Sequence, residues 1–224
     1  MTNRLSTAWT LAFLLASALL VSACSSGPQP PDWQVEAKGA MERSIAAYMV
    51  GETRVEMAEL QRARSQLSRT GRADVLATAE LLHCASRVAS LVFEPCAGFD
   101  VLRADATPAQ RAYADYLRGQ ATPGGIALLP EAQRATAAGT ANTLQAGADP
   151  LSQLLAAGVL LQTGRASPAV MAQAVDTASA QGWRRPLLAW LGVQAQRAEQ
   201  GGDTEQAARL RRRIQIAQEK EKNE

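Results

Sequence analysis

Histidine, cysteine and aromatic residues are all scarce in this chain of 224 residues. It has 1 histidine and 3 cysteines, and Phe, Trp and Tyr together make up 4%. A zinc site takes three or four His, Cys or carboxylate ligands, and a serine or cysteine triad needs a histidine beside its nucleophile. The sole histidine, His83, is therefore interpreted as a partly buried structural residue bonded to a carbonyl. The sequence predicts no catalytic residues, no metal and no cofactor.

The chain also lacks a strong charge of one sign, since 23 Lys and Arg face 21 Asp and Glu. Nucleic-acid binding demands a basic field, so this balance excludes nucleic acid as a partner. A carboxylate pair for glycoside chemistry is not predicted either. Glu52, Glu56 and Glu59 alternate with arginines, as expected of a solvated helix face. No small-molecule substrate is predicted.

β-Branched residues are sparse, whereas Ala and Leu, both strong helix formers, supply most of the apolar content. Apolar residues recur at helical spacing from Trp33 onward, and glycine or proline separates the segments. The predicted helices cover about 33–50, 55–69, 72–93, 107–118, 131–138, 149–163, 167–181, 184–200 and 203–222, with a loop at 120–130. The fold class is therefore all-α.

Short connections between these helices predict successive antiparallel hairpins. The spacing of Leu191, Ala195, Ala198, Gly202-Asp203, Ala207 and Ile214 resembles a tetratricopeptide repeat, although Arg211 stands at a usual apolar position. Residues 46–63 show a looser likeness. Two architectures stay open, a repeat-like array and an irregular helical bundle. The helical domain spans 33–224, and a division into lobes 33–119 and 131–224 is also open.

The first 23 residues have the parts of a secretory signal. Arg4 precedes an apolar run over 8–21, which is shorter than the ~20 residues that a membrane-spanning helix needs. The run ends in Val21-Ser22-Ala23-Cys24, which resembles the lipobox that signal peptidase II cleaves in bacterial lipoproteins. A plainly cleaved periplasmic protein and an uncleaved anchor are the alternatives.

The lipoprotein resemblance implies that residues 1–23 are removed and that lipid on Cys24 holds the mature protein at a membrane. Residues 24–32 have the composition of an extended tether. Ser25 and Ser26 follow the cysteine where an aspartate would favour inner-membrane retention. The expected location is therefore the periplasmic face of the outer membrane, with the inner membrane as the alternative.

Two further cysteines, Cys84 and Cys96, would lie in the oxidising periplasm, where disulfides persist. Glu94-Pro95 breaks the helix between them, so the chain can turn back and bring them together. We predict a disulfide. Two unpaired buried cysteines, or a metal or catalytic thiol, are the alternatives.

The densest charge is the run Arg209, Arg211, Arg212 and Arg213. It could contact an acidic partner, lipid headgroups or peptidoglycan carboxylates. Alternatively, these cations complement the dipole near the end of a helix.

Together these features predict a lipid-anchored helical scaffold that binds a protein partner in the cell envelope. The layout resembles that of pilotins and of accessory subunits of outer-membrane assembly machines, which implies binding of a partner segment between helices. A peptidoglycan-associated enzyme, or a regulator of one, is one alternative. A purely structural envelope lipoprotein is the other.

Overall fold

The computed structural model describes residues 29–141 and 143–219, and all regular secondary structure within them is helical. The first helices of these ranges are α1 (Asp32–Val50), α2 (Thr53–Ser68), α3 (Ala73–Ala89), α4 (Ala97–Asp100), α5 (Pro108–Leu117), α6 (Pro123–Ile126) and α7 (Glu131–Ala137). They are followed by α8 (Pro150–Gln162), α9 (Pro168–Ala180), α10 (Arg184–Gln200) and α11 (Thr204–Glu219). The predicted all-α fold is confirmed.

Several helices begin where a side chain caps the first turn and a proline follows. The Gln110 amide donates to the Thr107 hydroxyl at 3.2 Å, and the Thr107 amide donates to the Gln110 side chain at 2.9 Å. Ser167 caps α9 in the same position, by accepting a bond from the Val170 amide. The predicted starts at Thr107-Pro108 and Ser167-Pro168 are therefore correct, because cap and proline act locally.

Helix α3 ends at Ala89, four residues before the predicted limit at Phe93. Leu91 adopts a left-handed φ of 62°, and the Val92 amide donates to the Arg87 carbonyl at 2.9 Å. This is a Schellman motif in which leucine occupies the position that glycine usually takes. The loop predicted at 120–130 also contains the single turn α6.

The helices pack as a bundle of hairpins. The α1–α2 and α10–α11 hairpins have the most extensive contacts among the described helices, and α3 packs against α1, α2, α5 and α8. Gly158 lets α8 approach α3 closely, because a Cβ there would overlap the Val88 carbonyl. Trp190, fully buried on α10, donates to the Ala89 carbonyl at 3.2 Å. None of the described helices is both long and apolar enough to cross a membrane.

The core consists of three apolar clusters, and α3 contributes to each of them. Its Ala79 joins the cluster of α1 and α2, and its Leu81 joins the cluster of α4, α5 and α8. Its last residue, Ala89, joins the third cluster, which Trp190 anchors. Helix α3 therefore positions the functional side chains described next.

Candidate functional site

The predicted lipidation site, Cys24, lies outside the described residues, as does most of the tether. The described chain begins at Gln29 and enters α1 at Asp32. The lipobox and the location that it implies therefore stay predictions.

Cys84 and Cys96 lie at disulfide distance, with their Cα atoms 5.8 Å apart. Cys84 is on α3, and Cys96 directly precedes α4. The chain leaves the helix at the Schellman motif and turns back through Pro95, so the predicted proximity is confirmed. The pair ties the short helix α4 to the central helix of the fold.

The arginine run on α11 does not form one surface. Arg209 pairs with Glu205 at 2.7 Å, one turn earlier, and Arg211 pairs with Glu199 of α10 at 2.7 Å. Arg212 and Arg213 are exposed and have no ion pair among the described residues. Successive helical residues point about 100° apart, which explains why neighbouring arginines have different surroundings.

The prediction that the carboxylates of α2 lie on a solvated face is wrong for Glu56, which has only 1% of its surface accessible to solvent. Its carboxylate accepts a hydrogen bond from Arg87 of α3 and lies 3.8 Å from Nδ1 of His83. The Arg87 guanidinium also lies over the ring of Tyr48, 4.0 Å from its centre. Burying this charge is feasible because the arginine neutralises it.

Glu80 of α3 is a second buried carboxylate, and it binds Arg64 of α2 through two hydrogen bonds of 2.6 and 2.7 Å. A bidentate pair of this kind fixes both position and angle. Gly98 packs directly against the carboxylate, because a Cβ there would overlap the Oε2 atom of Glu80. The pair thus holds α2, α3 and α4 together.

The two glutamate–arginine pairs between α2 and α3 form what we call the charge layer. His83 lies beside this layer, whereas the prediction placed its ring against a carbonyl. Its Nε2 is 3.4 Å from the Arg87 guanidinium, and its side chain is 20% exposed. Burial lowers the pKa of the imidazole to about 4, with help from the charges of Arg87 and Arg64 and against that of Glu80. The ring is neutral at pH 7.

A cleft of about 580 Å³ opens over these groups and is lined by Arg64, Glu80, His83, Arg87 and the cysteine pair. Glu80 in the cleft and Glu56 behind it are both held in ion pairs. This geometry is typical of a structural charge network. The described residues contain no group of three or more His, Cys, Asp or Glu arranged to hold a metal ion.

A largely apolar groove of about 510 Å³ lies between α1 and α3, and Leu67 of α2 also lines it. From α1 it receives a stripe at spacing four: Trp33, Ala37, Met41 and Ile45. From α3 it receives Val75, Ala79 and Leu82. Ala37 and Ala79 form a buried floor, whereas Leu82 is exposed at 36%. We call this surface the α1–α3 groove.

Sequence reasoning missed both the groove and the buried acids, although part of the signal was present. Glu56 precedes Leu60, Ala63 and Leu67 at spacings of four, three and four, which places it on the buried stripe. Val55 and Ala58, two apolar residues of the same helix, are both exposed. An acid in apolar register is therefore the sign of a buried charge pair.

Comparisons with protein-family models, curated proteins and solved structures find no significant match for this chain. Its function is inferred from its own residues and geometry.

Proposed function

We propose that this protein is a non-catalytic lipoprotein of the bacterial envelope, which lipid on Cys24 anchors at a membrane and whose helical domain binds a protein partner in the periplasm. Its expected site is the outer membrane. The α1–α3 groove is the proposed binding surface.

The observation that carries this proposal is the groove itself. The groove is lined mainly by apolar residues, and this apolar surface loses contact with water when a complementary surface fills it. The partly exposed Trp33 is suited to partner contact, since tryptophan is enriched in binding hot spots, and the exposed Leu82 adds apolar surface that a partner can cover.

Two further features support the envelope setting. Cys84 and Cys96 at disulfide distance suit an oxidising compartment. The chain also enters α1 at the end of the groove where Trp33 lies, so a lipid on Cys24 would be tethered close to the binding surface.

The proposal is tested by chemical crosslinking in living cells of the bacterium that makes the protein. Two variants are compared with the wild type, Leu82→Glu in the groove and Met57→Glu on α2. Met57 is 64% exposed and lies outside the groove, so it is a matched control for placing an acid on an exposed apolar residue.

We expect Leu82→Glu to reduce recovery of the crosslinked partner roughly 10-fold or more, because the variant places an unpaired charge in the apolar contact with the partner. Met57→Glu should leave recovery unchanged. Circular dichroism of each variant verifies that the helices are intact. The scaffold proposal would be overturned if the wild type gave no crosslinked protein partner. If Leu82→Glu and the wild type recovered the partner equally, the groove would not be the binding surface.

A further inference from the structure

The length of the α1–α3 groove matches a short helix. Its α1 wall runs from Trp33 to Ile45, thirteen positions that span about 18 Å at the rise of an α-helix. Ala37 and Ala79 are small, buried residues of the floor, one from each wall, so a helix can approach the groove closely there. Grooves between helices take amphipathic helices with apolar residues at spacings of three and four.

The two walls begin at the same end of the groove. Glu56 pairs with Arg87 and Arg64 pairs with Glu80, so α2 and α3 run in opposite directions. The short turn at Gly51 makes α1 and α2 antiparallel as well. Helices α1 and α3 therefore start side by side, at the end that carries Trp33 and that the tether enters.

The charged residues that line the groove are arranged unequally along it. Lys38 and Arg72 are cations near the Trp33 end, on opposite walls, and Glu42 lies one turn further along α1. Their present pairs are exposed: Lys38 is 3.8 Å from Glu42, and Arg72 is 2.7 Å from Asp74. Exposed pairs contribute little stability, so exchanging these partners for charges on a ligand costs little.

We infer that the α1–α3 groove binds an amphipathic helix of about three turns, from a partner that presents it near the membrane, with an acidic residue at the end beside Lys38 and Arg72. This inference rests on the proposed function, because lipid on Cys24 sets the distance to the bilayer. Cys24 is nine positions before Trp33. A proline-rich tether over residues 25–31 would reach roughly 22 Å if fully extended, which would keep the Trp33 end of the groove within that distance of the lipid headgroups.

Other occupants fit the groove less well. A bilayer surface is flat on this scale and does not fill a concave channel. An extended strand gains affinity from pairing with a sheet edge, and the described part of the chain has no strand to offer one. A helix satisfies its own backbone hydrogen bonds and uses only its apolar face, which is what the groove complements.

The test uses the full chain in the bacterium that makes it, with a photo-crosslinking amino acid in place of Leu82. The matched control carries it in place of Met57. We expect an adduct at position 82 that maps to a partner segment with apolar residues at helical spacing and an acid at one end, and no such adduct at position 57. The inference would be overturned if the adduct at position 82 mapped to lipid, to a second copy of this chain, to residues 8–21 of the same chain or to an extended segment.

A peptide with the mapped sequence then tests the orientation. Lys38→Glu combined with Arg72→Glu should weaken its binding roughly 10-fold, since two exposed attractive contacts become repulsive. Replacing the acid of the peptide by lysine should restore binding to this variant, and failure of that rescue would overturn the assigned orientation. If chemical crosslinking yields a partner but position 82 gives no adduct, the groove assignment fails while the scaffold function stands.

Discussion

Single residues decide how α2 and α3 meet. Glu56 and Glu80 are buried acids, and each is neutralised by an arginine of the facing helix. Removing one member of such a pair leaves an uncompensated charge, whereas the intact pair fixes the relative position of the two helices. The charge layer therefore specifies the angle at which the central helix is held.

His83 makes the stability of the fold depend on pH. Its pKa is about 4 in the folded protein, below its ordinary value of 6.5, mainly because burial disfavours the charged ring. Below pH 6.5 the unfolded chain takes up a proton that the folded chain refuses, so stability falls as the pH drops toward 4. We expect a loss of up to about 3 kcal/mol over this interval. Urea unfolding at a series of pH values measures it.

His83→Gln is the control for this effect, since its side chain does not titrate. The variant should have a flatter stability profile between pH 6.5 and 4, and the remaining slope reports the carboxylates. Identical slopes for the variant and the wild type would contradict the assignment.

Gly98 is the residue that makes room for the Glu80–Arg64 pair. Gly98→Ala places a methyl group where the Glu80 carboxylate lies, and moving the carboxylate breaks its bonds to Arg64. We expect a destabilisation of about 1 to 3 kcal/mol in urea unfolding. Gly124→Ala is the matched control because its added Cβ meets no atom within 4 Å. Equal midpoints for the two variants would refute the close approach.

At the scale of elements, α3 is the part on which the fold depends most. It belongs to all three apolar clusters, forms one wall of the groove and carries Cys84. The starts of capped helices such as α5 could be predicted from the sequence, because a cap and a proline act within one turn. The end of α3 could not be predicted, because Leu91 takes a left-handed conformation that sequence rules assign to glycine.

The cysteine pair should hold α4 against α3 in the isolated protein. Without reductant, Cys84 and Cys96 should resist alkylation, and the mass should be two hydrogens lower than after reduction. Reduction should lower the free energy of unfolding by about 3 kcal/mol, the loop-closure contribution of so short a connection. The double variant Cys84→Ser, Cys96→Ser should not respond to reductant. Rapid alkylation of both cysteines in the unreduced native protein would contradict the bond.

For the whole molecule, the central expectation is attachment to a membrane. Cys24→Ala should leave a precursor that is neither lipidated nor cleaved, because no acyl acceptor remains at the lipobox. Mass measurement and membrane fractionation of the variant check this, with Ser26→Ala as a control that should mature normally. Normal maturation and membrane recovery of Cys24→Ala would refute the anchor.

The placement of the groove relative to this anchor combines two kinds of information. The position of Cys24 is a property of the sequence, whereas the helix packing places Trp33 and Arg72 along the same groove. Neither alone predicts a binding surface near the bilayer. The two together lead to the partner helix inferred above.

The sequence by itself determined the helical class, the capped helix starts and the proximity of Cys84 and Cys96, because propensity, capping and a short loop act over a few residues. Tertiary structure alone decided which arginines neutralise Glu56 and Glu80 and that a groove opens between α1 and α3. Their arginine partners lie 31 and 16 positions away. Charge neutralisation over such distances depends on which helices pack together, and a periodic pattern along one helix does not contain that information.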